Sequence, residues 1–196
     1  MEKTTSARTR LIEATFNLIE QQGYHGTGLN QIIKESGAPK GSLYYYFPDG
    51  KEQLVSEAIE LYGQALAERI RGVLKNADNP AEIIKLIFTN FAKKLDASGC
   101  TKSGSFATIV LETSNTSERL RKACNRMYDS CSASYTEMFM THGFSEKRAT
   151  QIATLITTSM EGAIILCRAK QSSEPLIQIA EELKSYINHA KSEMSN

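Results

Sequence analysis

Apolar residues return every three or four positions along almost the whole chain, and this spacing limits the fold more than any other sequence feature. Ile12, Phe16 and Ile19 form one such stripe, and a second begins with Leu54 and Ala58. Residues three and four apart share one face of an α-helix, whereas a half-buried strand needs a period of two, which no stretch sustains. The sequence therefore predicts an all-α protein of about nine helices.

Glycine and proline divide this pattern into separate helices. Gly23 and Gly37 follow apolar stripes, where a left-handed residue would end a helix. Asn79-Pro80 has the residue types of an N-cap followed by proline at the first helical position, and Ser145 is suited to cap a later helix. Between these signals we predict one long helix, from about residue 51 to 75.

The composition is that of a soluble globular protein. The chain has 196 residues, of which 41% are hydrophobic and 23% charged, and both values are ordinary. No apolar run approaches the ~20 residues that a membrane span needs, and the N-terminal residues lack the apolar core of a signal peptide. We therefore expect a cytoplasmic protein with no membrane partner.

The patterns of catalytic and metal-binding chemistry are missing. His25, His142 and His189 have no matching cysteine or carboxylate partners, and the four cysteines show no Cys-x-x-Cys pairing. An enzyme therefore has little support, and we expect no catalytic residue, no metal and no cofactor. The cysteines are expected to be reduced thiols that are buried or partly buried.

Residues 26–54 carry the functional signal. Two short helices are separated by Ser36-Gly37-Ala38-Pro39, which has the length and chemistry of the turn in a helix-turn-helix. The second helix contains three consecutive tyrosines at 44–46. Three adjacent residues spread over about 200° of a helix, so at least one or two must face solvent or a partner. Phenol groups can bond phosphates and contact bases, which indicates a DNA-binding helix.

Charge adds nothing to this prediction. Residues 1–55 contain six Lys or Arg and six Asp or Glu, whereas a basic face is the usual electrostatic footprint of a DNA-binding domain. This balance keeps an alternative open, in which the chain is a helical ligand-binding or adaptor protein without specific DNA binding.

The pattern G-x-x-K-G-S-L-Y-x-x-F over residues 37–47, followed by K-E-x-L over 51–54, resembles the helix-turn-helix and fourth helix of the TetR family of transcriptional regulators. The resemblance is close over residues 8–56. It implies a DNA-binding domain at 1–50 and a ligand-binding and dimerisation domain at 51–196. The implied function is a ligand-responsive regulator, most often a repressor, that binds double-stranded operator DNA as a homodimer.

The resemblance also assigns roles around the helix-turn-helix. It implies phosphate contacts by Thr27, Ser42, Tyr44 and Lys51, and a major-groove face made by Lys40, Gly41, Tyr45 and Tyr46. Gly28 stands where the family usually has a second Thr or Ser, so its DNA contact lacks a side chain. Two alternatives stay open: Tyr44 could pack against the fourth helix, and Lys51 could pair with Glu52 or Glu57.

The C-terminal part carries the dimer and effector predictions. Helix 146–168 is apolar or small nearly all round, which indicates cover from its own core and from a second subunit. The expected dimer interface comprises Ile156, Ser159, Met160, Ala163, Leu176, Ile179, Leu183 and Ile187. The candidate pocket residues, each of which could equally be ordinary core, are Phe88, Phe91, Phe106, Ile109, Met127, Tyr128 and Tyr135. Glu112 and Arg126 are either buried polar anchors or surface residues.

The linker 47–51 is one residue longer than in most members, and with segments 98–100 and 174–176 it is similar to the LmrA/YxaF branch. Some regulators of that branch respond to flavonoids or to antibiotics. The resemblance thus implies a small apolar or aromatic effector, flavonoid-like or antibiotic-like. Its binding would tilt the long helix and change the spacing of the two recognition helices.

Overall fold

The computed structural model describes residues 6–75, 78–101 and 106–194. Within these ranges every regular element is an α-helix, so the prediction of an all-α protein with about nine helices is confirmed for the described part of the chain. The helices are α1 (Ala7–Gln22), α2 (Leu29–Ser36), α3 (Lys40–Tyr46), α4 (Lys51–Leu74), α5 (Pro80–Ala97), α6 (Ala107–Thr113), α7 (Glu118–Thr141), α8 (Glu146–Lys170) and α9 (Glu174–Ser192).

Local sequence explains where several helices begin and end. Ser6, Asn79 and Ser145 each cap a helix, because each side-chain oxygen accepts a hydrogen bond from a backbone N–H of the first turn. Pro80 occupies the first position of α5, where its missing N–H costs nothing. Gly37 ends α2 in the left-handed conformation, with φ at 58°. The predicted caps at Asn79 and Ser145 are confirmed.

The chain divides into two compact units. The first comprises Met1–Gln64 and Gly104–Met127, and the second comprises Ala65–Ser103 and Tyr128–Asn196. The long helices α4 and α7 each contribute to both units. The domain boundary predicted at residue 50 lies inside the first unit, immediately before α4 begins.

One apolar core holds the helix-turn-helix of the first unit. This core contains five residues that are each 0% exposed: Leu11 of α1, Ile32 of α2, Leu43 of α3, Leu54 of α4, and Phe47 between α3 and α4. Burying a side chain of this size stabilises a fold by about 1.5–3 kcal/mol. These contacts fix α2 and α3 on α1 and on the first turns of α4, as the apolar spacing predicts.

Helices α5, α7, α8 and α9 all contribute buried apolar residues to the second unit. Pairs Lys85–Glu181, at 2.6 Å, and Lys184–Glu82, at 2.7 Å, show that α5 and α9 run antiparallel. These partly exposed ion pairs each contribute about 0–1 kcal/mol, so the apolar faces between the helices supply most of the stability.

Helix α8 is long and apolar enough to cross a membrane by length and composition, and 33% of its apolar stretch is buried within the protein. Length and composition alone are weak evidence for a membrane. Ile152, Ile156 and Ile164 of this helix are 0–2% exposed, because they lie in the core of the second unit.

Candidate nucleic-acid interface

The turn between α2 and α3 is fixed by backbone conformation and by one serine. Gly37 is left-handed, and a Cβ built there would meet nothing within 4 Å, so conformation rather than space favours glycine. The hydroxyl of Ser36 donates to the carbonyl of Ile33 and accepts from the backbone N–H of Ala38 at 3.2 Å. The two helices therefore meet in the tight reversal that a helix-turn-helix requires.

Helix α3 buries one side and exposes three tyrosines on the other. Leu43 is 0% exposed, whereas Tyr44, Tyr45 and Tyr46 are 51%, 79% and 36% exposed. The sequence predicts that at least one or two of them face outward, and the structure exposes all three. The exposure of Tyr44 argues against its alternative role as a packing residue on α4. The rings of Tyr45 and Tyr46 meet edge to face, 4.9 Å apart, and form a continuous phenolic surface.

The remaining residues predicted on this face are also open to solvent. Lys40 and Gly41 are exposed and Ser42 is half-buried. A Cβ built at Gly41 would meet nothing within 4 Å, and the same holds for Gly28 at the start of α2. The fold itself therefore has no steric need for glycine at either position. Helix α2 has no side-chain cap at Gly28, which leaves its first N–H groups without a capping acceptor.

The hydroxyl of Thr27 is bonded inside the first unit, at the turn between α1 and α2. The residue is 1% exposed, and its Oγ1 donates to the carbonyl of Gly23 at 2.8 Å. The amide of Gln22 approaches the same oxygen at 3.4 Å. A hydroxyl bonded in this way braces the turn between α1 and α2, so the phosphate contact predicted for Thr27 competes with these internal bonds.

Lys51 is also held inside the first unit. Its ammonium donates to the carbonyl of Tyr24 at 2.6 Å and lies 4.0 Å from the centroid of that ring. Burial lowers the pKa of Lys51, and the charge of Glu112 opposes that shift. The predicted phosphate contact therefore competes with an internal one. The alternative partners are also occupied elsewhere, since Glu52 accepts from Ser117 and Glu57 pairs with Arg8.

Glu112 of α6 holds the turn that precedes the helix-turn-helix, a role that neither alternative in the sequence predicted. Its Oε2 accepts from the backbone N–H groups of Tyr24 and His25, at 2.7 and 3.0 Å. Gly23 has φ at 77°, and a Cβ there would collide with the carboxylate. Arg126 pairs with Glu60 near the surface, so the surface alternative describes Arg126 correctly.

The predicted pocket residues are distributed over the two units and are mostly core. Phe106, Ile109 and Met127 lie in the first unit, and Phe88, Phe91, Tyr128 and Tyr135 lie in the second. Their exposures are 0% for Phe88 and 2–4% for Phe106, Ile109, Met127 and Tyr135. Burial raises the pKa of Tyr135, and the hydroxyl of Tyr128 donates to Glu161 at 2.8 Å. Phe91 lines a cavity between α4 and α5.

The predicted dimer residues differ in their exposure within one protomer. Five of them are 0–5% exposed within one protomer and pack in its own core: Ile156, Ala163, Leu176, Leu183 and Ile187. Ser159, Met160 and Ile179 are half-buried. The exposed large hydrophobic side chains of the same two helices are Leu155, Ile165, Leu166, Ile177 and Tyr186, at 36%, 51%, 51%, 39% and 37%.

All four cysteines are buried thiols outside any disulfide, as expected from their spacing. Across the described residues, no group of three His, Cys, Asp or Glu side chains is arranged to hold a metal ion.

Two family models match the chain. The model described as bacterial regulatory proteins, tetR family, matches residues 11–58. The model described as transcriptional regulator LmrA/YxaF-like, C-terminal domain, matches residues 80–182.

Individual relatives and structures agree with these matches. The chain is 37% identical over 183 residues to the HTH-type transcriptional regulator YxaF of Bacillus subtilis, covering 93% of this chain and 96% of that protein. It is 38% identical over 174 residues to the HTH-type transcriptional regulator LmrA of the same organism, covering 89% and 93%. The fold matches reduced NemR from E. coli with a TM-score of 0.78 at 24% identity, covering 91% and 95%. It matches the regulatory protein TetR from Rhodobacter sphaeroides with a TM-score of 0.82 at 18% identity, covering 92% and 98%.

Proposed function

Because this chain belongs to the TetR family of bacterial regulators, we propose that it is a repressor released from its operator by a small apolar or aromatic molecule. The chain lies in the LmrA/YxaF-like branch of that family and is a DNA-binding transcriptional regulator. In this proposal residues 1–50 bind DNA, and residues 51–196 bind the effector and a second subunit. The observation that carries this proposal is the exposed face of α3, where three exposed tyrosines directly follow the buried Leu43.

The outward face of α3 suits the major groove. An α-helix with its side chains is about 10–12 Å wide, close to the ~12 Å width of that groove. Lys40, Tyr45 and Tyr46 would face base edges, and Gly41 would let the backbone approach closely. Ser42 and Tyr44 would hold phosphates at the side of the groove.

The start of α2 offers a phosphate site that does not depend on Thr27 or Lys51, whose polar groups are engaged within the first unit. Gly28 leaves the first N–H groups of α2 without a side-chain cap, and open space surrounds its α-carbon. Backbone N–H groups at a helix N-terminus bind phosphate well. We assign Gly28 to the DNA interface as a position where the backbone, rather than a side chain, approaches the phosphate.

The dimer interface is proposed on the exposed stripe of α8. One side of this helix carries four residues spaced by four, three and four positions: Leu155, Ser159, Gly162 and Leu166. Leu155 and Leu166 are exposed, and the small residues between them allow a second helix to approach closely. Ile177 is an exposed apolar residue of α9, which packs against α8. A two-fold dimer built on this surface would pair the recognition helices and cover the apolar side of α8.

Release would follow from the position of α4. Leu54 and Ala58 of this helix are buried in the core of the helix-turn-helix, and the helix continues into the second unit. An effector, flavonoid-like or antibiotic-like, would release DNA only by preferring a position of α4 that disfavours operator spacing. The protein would act in the cytoplasm, where its operator lies.

The experiment is a titration of the purified dimer against the DNA upstream of its own gene, with unrelated DNA as the matched control. Operator binding is expected to weaken steeply as salt rises, and to exceed binding to the control sequence. Equal affinity for both sequences at low salt, with and without candidate effectors, would overturn the proposal. It would favour the alternative of a helical ligand-binding protein without specific DNA binding.

A further inference from the structure

A groove lies between the second half of α4 and the middle of α5, entirely within the second unit, and has a volume of about 310 Å³. Apart from Lys93, its lining residues follow the spacing of one face on each helix. We call it the α4–α5 groove; its lining is Leu66, Arg69, Ile70 and Val73 from α4, and Ile87, Asn90, Phe91, Lys93 and Lys94 from α5.

The floor of the groove is apolar. Ile70 and Ile87 are each 7% exposed, and Leu66 and Phe91 are half-buried beside them. Val73 is 40% exposed at the same surface. The volume falls at the lower end of the range for small-molecule sites, ~300–1,000 Å³, so it suits a small ligand with an apolar body.

The rim of the groove is positively charged, and its described lining carries no carboxylate. Arg69, Lys93 and Lys94 are exposed, and within the described ranges none of them forms an ion pair with a carboxylate. By contrast, Lys85 of the same α5 pairs with Glu181 at 2.6 Å. The Lys94 ammonium lies 5.9 Å from the centroid of the Phe91 ring, so positive charge borders the apolar surface.

We propose that the α4–α5 groove binds an anionic amphipathic molecule, with an apolar body on the isoleucine floor and one carboxylate- or sulfonate-like head group at the cationic rim. The guanidinium of Arg69 and the two ammonium groups are donors that match such a head group. The proposal rests on the proposed function only in naming this ligand as the effector. It narrows the effector class from apolar molecules in general to those with a negative charge.

The test compares two fluorescent probes that share one apolar skeleton. Anilinonaphthalene sulfonate is anionic and phenylnaphthylamine is its uncharged counterpart. The double variant Arg69→Gln/Lys94→Gln is expected to lower affinity for the anionic probe about tenfold and to leave the uncharged probe unchanged, because the charge-assisted bonds are removed while the floor persists. The matched control is Arg71→Gln/Lys75→Gln, which removes the same charge from exposed residues that do not line the groove.

A second variant tests the place of binding. Val73→Trp fills the groove from its exposed side and is expected to weaken both probes, with the fold retained by circular dichroism. The proposal fails if the rim and control variants weaken binding of the anionic probe equally, or if Val73→Trp weakens binding of neither probe.

Operator binding is measured separately with and without the anionic probe. Groove binding without operator release would refute the effector role alone, and release that survives both groove variants would place the effector elsewhere.

Discussion

The carboxylate of Glu112 accepts a hydrogen bond of 2.7 Å from the backbone N–H of Tyr24, which lies 88 residues earlier in the chain. The carbonyl of Tyr24 accepts in turn from the ammonium of Lys51, at 2.6 Å. The backbone of Tyr24 is therefore held at its N–H by a negative group on α6 and at its carbonyl by a positive group on α4. This turn leads directly into α2, so its position affects the helix-turn-helix.

Removing the Glu112 carboxylate should loosen that turn. Glu112→Ala leaves the N–H groups of Tyr24 and His25 without their acceptor, and we expect the first unit to lose about 1–3 kcal/mol of stability together with operator affinity. Glu112→Gln keeps an acceptor oxygen, so its stability and operator affinity should lie between those of the parent and of Glu112→Ala. Chemical denaturation and operator titration measure both effects. If Glu112→Ala matches the parent in both stability and operator affinity, the Glu112 carboxylate does not stabilise this turn.

Two of the glycines with positive φ, Gly23 and Gly37, should respond differently to alanine. At Gly37 only the backbone conformation opposes alanine, and the expected loss is about 1 kcal/mol. At Gly23 alanine would also collide with the Glu112 carboxylate, so the loss should be larger. In a Glu112→Ala background the extra loss at Gly23 should disappear, which a double-mutant cycle of unfolding free energies measures. Simple additivity of the two changes would count against the collision.

Tyr45 separates DNA contact from stability. The residue is 79% exposed, so Tyr45→Ala should change the free energy of unfolding by less than about 0.5 kcal/mol. If the ring contacts the operator, affinity should fall by about 1–3 kcal/mol, with the salt dependence unchanged because no charge is removed. Tyr186→Ala is the control, since Tyr186 is a partly exposed tyrosine of α9. Operator affinity that survives Tyr45→Ala would remove this residue from the interface.

Cys131 should make the protein sensitive to alkaline conditions. Burial raises the pKa of its thiol from 9.0 to about 11, and Glu161 adds to that shift. Because the folded state holds the proton more tightly than the unfolded chain, this contribution is fully present below pH 9 and is lost as pH rises towards 11. Cys131→Ala should therefore lose less stability between pH 8 and about 10.5 than the parent. Parallel losses in the two proteins would contradict the assignment.

The sequence predicts the scaffold of the interface better than its contacts. Leu43 and Tyr45 differ by two positions on one short helix, and helical spacing alone indicates that one is buried and the other exposed. Thr27 and Lys51 have the right chemistry for phosphate, but the same groups bond turn carbonyls, and a linear pattern does not distinguish these uses. Glu112 meets Tyr24 only through tertiary folding, so no local signal identifies the pair.

The proposed dimer surface shows a second limit of prediction from sequence. Leu155 and Ile156 are adjacent and similar in polarity, yet one is 36% exposed and the other 0%. On a helix that is apolar nearly all round, periodicity does not tell which side meets the protomer's own core. That choice depends on how α9 packs against α8, which the structure supplies.

Gly41 implies a conflict between folding and function. Nothing within 4 Å opposes a side chain there, and alanine favours a helix over glycine by about 0.5–1 kcal/mol. A screen for heat resistance would thus reward Gly41→Ala, while a screen for operator binding would reject it if DNA needs the bare backbone. Selection for thermostability alone would then drive this protein towards a more rigid fold that no longer regulates.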